Sequence, residues 1–285
     1  MKKQIADLYK NVIGNLEFAT GGWKYPQDEL IVLCIHSTPA DRMNDFNLLL
    51  DDLLKHFTPL NPRQLDDYFN GNLNTGPYIM FTFDDGLKNN IHAARQLNKR
   101  NIGAFFFLVP DFIRANDQKS YYLKNIRQII DPSYDKYDED FTAMSVQDVT
   151  ELLEFNHAIG SHTMSHLLRA DSSAEMSSRE VVESRQVLEE WFRQHTRAFC
   201  SVIHTTLSVS GNTKSLIDSN YDFHFTTYPG RNAEEKNPKL IFRRNIEINW
   251  PKGKIRFALG QRDLRRWKKQ VAAFRRLLPS RVFQP

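Results

Sequence analysis

Tyr78-Ile79-Met80-Phe81-Thr82-Phe83-Asp84-Asp85-Gly86 decides how the rest of the chain is read. A run rich in β-branched and aromatic side chains ends on two adjacent carboxylates and a glycine. The run is too short for a helix and closes on a turn signal, so it reads as a buried parallel strand. Asp84 and Asp85 then stand at its C-terminal end, the edge on which barrels and open α/β sheets place their chemistry. Neighbours on an extended strand point opposite ways, so the two acids can take different roles. Taken alone, the same pattern also describes a turn that caps the following helix.

Outward from that strand, His162-Thr163-Met164-Ser165-His166 follows Ile159-Gly160-Ser161 and sets two imidazoles at i and i+4. That spacing brings two histidines to one side of a helical turn, where both can bind one metal. Two histidines and a carboxylate form a three-point site that leaves positions open for water and substrate. A histidine pair by itself is often a capped turn; beside a strand-end Asp-Asp it is a candidate centre.

These two stretches resemble the polysaccharide deacetylases, the NodB-homology carbohydrate esterases. The family's first motif, T-F-D-D-G, is Thr82-Phe83-Asp84-Asp85-Gly86 here, and its second, H-[ST]-x-x-H, is His162-Thr163-Met164-Ser165-His166. The resemblance implies Asp84 as general base, with Asp85, His162 and His166 holding one divalent metal. Zinc is the usual ion, and Co2+, Ni2+, Mn2+ or Fe2+ are alternatives. Looser similarity runs from about Leu30 to Ile248 and implies an α/β fold, a distorted (β/α)7 barrel. In much of the family the general acid is a histidine late in the chain, in a Leu-x-His segment, and nothing after Glu247 supplies one. A rearranged subgroup carries the equivalent strand first, with a histidine at its end. Leu33-Cys34-Ile35-His36 matches that arrangement and implies His36 as the acid.

The third family segment is where the chain departs. Relatives carry R-x-P-[YF] or F-A-Y-P-[FY]-G, which orients the base and supplies a backbone N–H to the oxyanion. The aligned residues, Phe199-Cys200-Ser201-Val202-Ile203-His204, hold neither Arg nor Pro. His204 stands where it could face the site, as an extra polar group, a third imidazole near the metal or a tolerated substitution. Arg244, on the last strand, is the candidate to orient Asp84.

The other segments fill in a barrel. With 285 residues, 41% of them hydrophobic, the chain is long enough for a full core in one large domain. Residues 1–29 read as an N-terminal extension, broken at Gly21-Gly22 and Pro26, and residues 30–250 as the catalytic barrel. Leu30–Ile35 and Gly103–Val109 are strands, and Asn89–Lys99 is the helix that makes a βαβ unit with the central strand. Residues 111–144 form a long polar connection of the kind that serves as a lid or as a surface excursion. Ser145 and Asp148 open a capped helix. Ser172–Gln194 is an amphipathic helix, Phe199–Ile203 and Asn220–Thr227 are strands, and Leu240–Ile248 is the last one. Cys34 and Cys200 lie in apolar runs and read as buried thiols without a disulfide.

The net charge of +4 hides an asymmetry. Residues 252–285 hold 11 of the 38 basic residues and a single acid, Asp263. Residues 251–285 thus read as a basic C-terminal amphipathic helix, with Leu264, Trp267, Val271, Phe274 and Leu278 on one stripe. Packed on the barrel it shows its charge to water; laid on an anionic membrane, 262–278 is a peripheral contact. No run of 18 apolar residues spans a membrane, and no apolar segment follows Lys2-Lys3 as a secretory signal requires. The expected location is cytoplasmic, with membrane-peripheral attachment as the alternative. Nucleic acid is not an expected partner, because no recognition motif accompanies the charge.

The function expected from all this is metal-dependent removal of an N-acetyl group from an amino sugar in the making of a surface polysaccharide or similar glycan. The substrate is an N-acetylated sugar, free, polymeric, or linked to a nucleotide or a lipid. Two other readings stay open: a sugar-binding module of the same fold that has lost turnover, and hydrolysis of another non-peptide C–N bond, deformylation included. A non-haem iron oxygenase also uses two histidines and a carboxylate, but on an antiparallel fold that the βαβ unit disfavours.

Overall fold

The computed structural model describes residues 2–21, 23–127, 140–203, 205–265 and 267–277. Its centre is a parallel sheet. The strands are β1 (Leu30–Ile35), β2 (Thr58–Pro59), β3 (Tyr78–Phe83), β4 (Ala104–Leu108), β5 (Ala158–Ser161), β6 (Ala198–Cys200), β7 (Phe223–Phe225) and β8 (Arg244–Asn245). Seven of them run in the order β7-β6-β5-β4-β3-β1-β8, and β2 pairs with β3 outside that path. Each of these ladders is parallel, and Ile35 stands in register with Phe83, so β1 and β3 end level with each other. A parallel bridge from Phe225 to Ile241 links the two margins of the curled sheet. The fold is α/β, a distorted (β/α)7 barrel.

Alternation of side chains divides the core. Leu30, Val32, Tyr78, Met80, Phe105 and Phe107 fill the concave side with Phe223 and Phe225. Ile31, Leu33, Ile35, Ile79, Phe81, Phe83 and Phe106 face the helices. Both faces are covered, which is why these strands read as unbroken apolar runs rather than alternating ones. The longer helices are α1 (Lys2–Ala19), α2 (Met43–Leu53), α3 (Asn90–Asn98), α4 (Val146–Glu154), α5 (Ser184–Phe192), α6 (Gly211–Asn220), α7 (Lys252–Leu259) and α8 (Lys268–Arg275). Ser145 caps α4 through a capping box with Asp148, as the spacing implied.

The late part of the chain differs from the sequence reading. The expected strand Phe199–Ile203 stops at Cys200, and Ile203 has a φ of 48°. That left-handed conformation is rare for a β-branched residue, and it carries the chain out of the sheet. Asn220–Thr227 divides between the end of α6 and three residues of β7, while Leu240–Ile248 shrinks to the bridge at Ile241 and the two residues of β8. The basic tail is not one helix: α7 stops at Gly260, Gln261–Arg265 forms a short turn of helix, and α8 follows. Val271 and Phe274 are buried among Phe199, Tyr221 and Phe242, so that stripe packs on the barrel. Residues 134–139 of the acidic connection lie outside the described residues. Among the described residues, no helix is long and apolar enough to cross a membrane.

Candidate active site

β1 and β3 deliver the first residues of the site. Asp84 follows β3 and donates its backbone N–H to Ile35 O at 3.0 Å, which prolongs the ladder by one step. The chain then turns: Asp85 has a φ of 71° and Gly86 one of 69°. The two carboxylates therefore part because of a left-handed turn at Asp85, rather than by strand alternation. A Cβ on Gly86 would lie 2.9 Å from Leu108 Cδ2, so close approach as well as backbone geometry requires glycine there.

β5 delivers the histidines, although not on a helix. His162 to His166 is an irregular loop with Thr163 and His166 both at φ 66°. Thr163 Oγ1 accepts His166 N–H at 2.9 Å and holds the turn. Ser165 is tied to buried Glu180 through its N–H (2.9 Å) and its hydroxyl (2.6 Å), and Ser165 O accepts Tyr121 O–H at 2.8 Å. Glu180 sits on a π-helical turn, Arg179–Glu183, that leads into α5, and such turns commonly mark functional sites. The i, i+4 spacing does not put the pair on a helical turn; an irregular loop brings the two rings together instead.

Both rings are anchored from behind. His162 Nδ1 donates to Cys200 O and His166 Nδ1 to Asn125 O, each at 3.0 Å. That tautomer leaves both Nε2 lone pairs aimed at Asp85 Oδ1, each 3.5 Å away. Orientation of an imidazole through its other nitrogen is the usual support of a metal-ligating histidine. Burial favours the neutral ring of His166 and lowers its pKa to about 4, against the pull of Asp85. Asp85, His162 and His166 are all buried, and their donor atoms lie within 4.8 Å of one another. Two imidazole nitrogens and one carboxylate oxygen suit a divalent ion such as zinc, so these three residues fit the ligand set that the sequence implied.

Asp84 is the adjacent acid. Arg243 donates to it twice, Nη1 to Oδ1 at 2.6 Å and Nη2 to Oδ2 at 2.8 Å. Cys34 Sγ approaches Oδ2 to 3.3 Å, and Cys200 Sγ to 3.8 Å. Burial alone would raise the Asp84 pKa, but the charge and hydrogen bonds of Arg243 outweigh it and hold the carboxyl well below its ordinary range. The orienting arginine is therefore Arg243 and not Arg244. Neighbouring residues at the start of β8 turn to opposite sides, and Arg244 donates instead to Gly230 O at 3.2 Å. In its place Arg243 fills the role left open by a third segment without arginine.

His36, one residue past β1, lies beside Asp84; with Cys34 their ligand atoms fall within 4.8 Å. Its Nδ1 stands 3.4 Å from Glu247 Oε1, a charge contact rather than an aligned hydrogen bond. Burial disfavours the charged ring, but Glu247 and then Asp85 and Asp84 outweigh it and raise the His36 pKa to about 9. His204 lies outside the described residues. A cavity of about 190 Å³ opens over these groups, and Ile126, Asn245 and Trp267 take part in its wall. Sequence reasoning missed Arg243, Glu247 and Trp267. Arg243 is adjacent to the arginine the sequence favoured, and Glu247 is an acid between two isoleucines, Ile246 and Ile248, with two arginines just before it. Trp267 falls on what reads in the sequence as a packing stripe.

Residues 72–203 match the family model described as polysaccharide deacetylase. No curated protein matches the chain. Among solved structures, the deacetylase domain of BpsB from Bordetella bronchiseptica superposes with a TM-score of 0.61 at 16% identity, covering 79% of this chain and 98% of that one. IcaB from Ammonifex degensii gives 0.60 at 19% identity, covering 81% and 97%. The Streptococcus pyogenes deacetylase PplD, in complex with acetate, gives 0.58 at 15%, covering 81% and 98%. At these identities the structures speak to the fold.

Proposed function

From a chain whose residues 72–203 match the polysaccharide deacetylase family model, we propose that the activity is hydrolysis of an N-acetyl amide on an amino sugar of a glycan, assisted by one divalent metal. The observation that carries this is the convergence of His162 and His166 Nε2 on Asp85 beside an arginine-clamped Asp84. Asp85, His162 and His166 would hold the ion, zinc first among the candidates. When bound, it supplies Lewis acidity toward the acyl oxygen and lowers the pKa of a water. Asp84, kept ionised by Arg243, takes a proton from the attacking water. His36, charged through Glu247, gives a proton to the departing amine nitrogen, which an amide needs before its C–N bond breaks. Base and acid thus stand side by side in opposite protonation states because each has a separate buried partner.

Elemental analysis tests this reading first. The purified protein supplied with zinc is expected to hold one ion per chain, and Asp85→Ala to hold none and to release acetate at least ~10³-fold more slowly. A wild-type protein that takes up no divalent ion would sink the hydrolytic mechanism and favour a sugar-binding role for the same cavity.

The indole of Trp267 supports a sugar substrate from the tail. It packs on Tyr228, 5.9 Å between centroids, and its anchoring helix is fixed by Val271, Phe274 and an ion pair from Arg275 to Glu235 at 2.7 Å. An aromatic face at a cavity wall matches the apolar face of a pyranose. Trp267→Ala is expected to raise KM about tenfold with little change in kcat, roughly the 1.4 kcal/mol of one ring contact; Trp267→Phe should keep most of the affinity. A fall in kcat with KM unmoved would show that the ring serves the chemistry or the fold instead.

A further inference from the structure

Helix α1 (Lys2–Ala19) meets the barrel largely through polar contacts. Asp7 pairs with Lys254 at 2.9 Å, Asn15 Oδ1 accepts from Arg256 at 2.9 Å, and buried Glu17 accepts Gln261 N–H at 2.8 Å, while Phe18 packs on Trp23 and His56 and the edge of Tyr9 reaches Phe257. Gly14 lets α1 and α7 meet backbone to backbone, since a Cβ there would lie 1.8 Å from Gly253 O. The outer side is apolar. Ile5, Leu8, Tyr9, Val12 and Leu16 are each between 54% and 64% exposed. At about 100° per residue these five fall within one arc of roughly 100°, and none of the helix's charged residues lies in it. A single exposed leucine is ordinary, whereas a continuous stripe marks a surface that something covers.

The size and charge of the stripe select what covers it. Five side chains, each a little over half exposed, present about 600 Å² of accessible surface at roughly 200 Å² per residue, below the ~800 Å² per partner of a stable dimer. A lipid leaflet sets no such minimum, because each apolar side chain enters the acyl boundary independently. The acids of α1, Asp7 and Glu17, are both engaged inward. The helix therefore offers no acid to a headgroup layer, while its sequence carries three lysines, Lys2, Lys3 and Lys10. We propose that α1 lies in the plane of an anionic bilayer surface with Ile5, Leu8, Tyr9, Val12 and Leu16 inserted. This places the membrane contact at the N-terminus and not at 262–278, whose Val271 and Phe274 are buried in the barrel. It stands independently of the deacetylase chemistry.

The test is flotation of the full chain with vesicles of phosphatidylglycerol mixed with phosphatidylcholine, with sedimentation velocity run in parallel. The wild type should float with the vesicles and sediment as a monomer without them. A Leu8→Glu/Val12→Glu variant, altered only at exposed positions, should keep its melting temperature and its turnover of a soluble substrate while its vesicle binding falls about tenfold or more. Failure of the wild type to float, or equal flotation of the variant, would overturn the proposal. So would a wild-type dimer that the variant dissociates, which assigns the stripe to a second copy of the chain.

Discussion

Arg243→Met is expected to cost the fold about 3–5 kcal/mol, because it strands the Asp84 carboxylate in a buried site with its main cationic partner gone. Arg243 and Asp84 are both buried, at 2% and 2% exposure, and the two hydrogen bonds between them are 2.6 and 2.8 Å. Chemical denaturation with an unchanged m-value would measure the loss. Without Arg243 the burial of Asp84 acts unopposed at that point, so its pKa rises and less of it is ionised near neutrality. A base depressed on folding contributes stability above its unfolded value, near 3.8, that is lost as pH falls through the folded one. The variant should lose that acid-side dependence, and the acid limb of its residual turnover should move upward. The Arg243→Met/Asp84→Asn double variant separates structure from chemistry: it should recover most of the stability and remain inactive. Recovery of turnover in the double variant would exclude Asp84 as the base.

The second large effect belongs to His36. His36→Ala should lower kcat about 10²–10⁴-fold while leaving metal content intact, the range expected for loss of a positioned acid. Glu247→Gln should act more gently and through pH. With Glu247 present, the His36 pKa is raised from 6.5 to about 9, against the opposing effect of burial. A group raised on folding contributes stability that is complete below its unfolded value and is lost as pH rises through the folded one, here between about 6.5 and 9. In the metal-free protein, NMR titration of the His36 ring should therefore give a midpoint near 9, and Glu247→Gln should bring it down. The basic limb of turnover should move down in the same variant. Identical basic limbs in wild type and Glu247→Gln would remove Glu247 from the mechanism.

Legibility in the sequence followed how local each signal was. β3 and the Asp84-Asp85-Gly86 turn were readable because strand, acids and glycine are contiguous, and β1 and β4 because strands buried on both faces appear as unbroken apolar runs; β5, Ala158-Ile159-Gly160-Ser161, is too short and too polar to read as one. His162 and His166 were found from their spacing, yet the loop that joins them depends on Thr163 and His166 adopting left-handed backbone, which tertiary bonds to Glu180 and Tyr121 sustain. No local pattern announces such bonds. The choice between Arg243 and Arg244 turned on one residue of strand phase at the margin of the sheet, where β8 is two residues long and periodicity has too little to work on. The inward-facing acids of α1 were hidden because residues 1–29 read only as an extension, and the direction of Asp7 and Glu17 is set by contacts with Lys254 and Gln261, more than 240 residues away.

The level ending of β1 and β3 has a further consequence. His36 and Asp84 each stand one residue beyond a strand, and the register Ile35↔Phe83 makes those two positions neighbours across a single ladder step. Their spacing is thus set by the sheet repeat of about 4.8 Å, a dimension of the backbone itself. The proposed proton donor and proton acceptor are mounted on a ruler that no loop can stretch. Swapping or lengthening the loops around the cavity should therefore retune which glycan enters while leaving the pH profile of the reaction where it was.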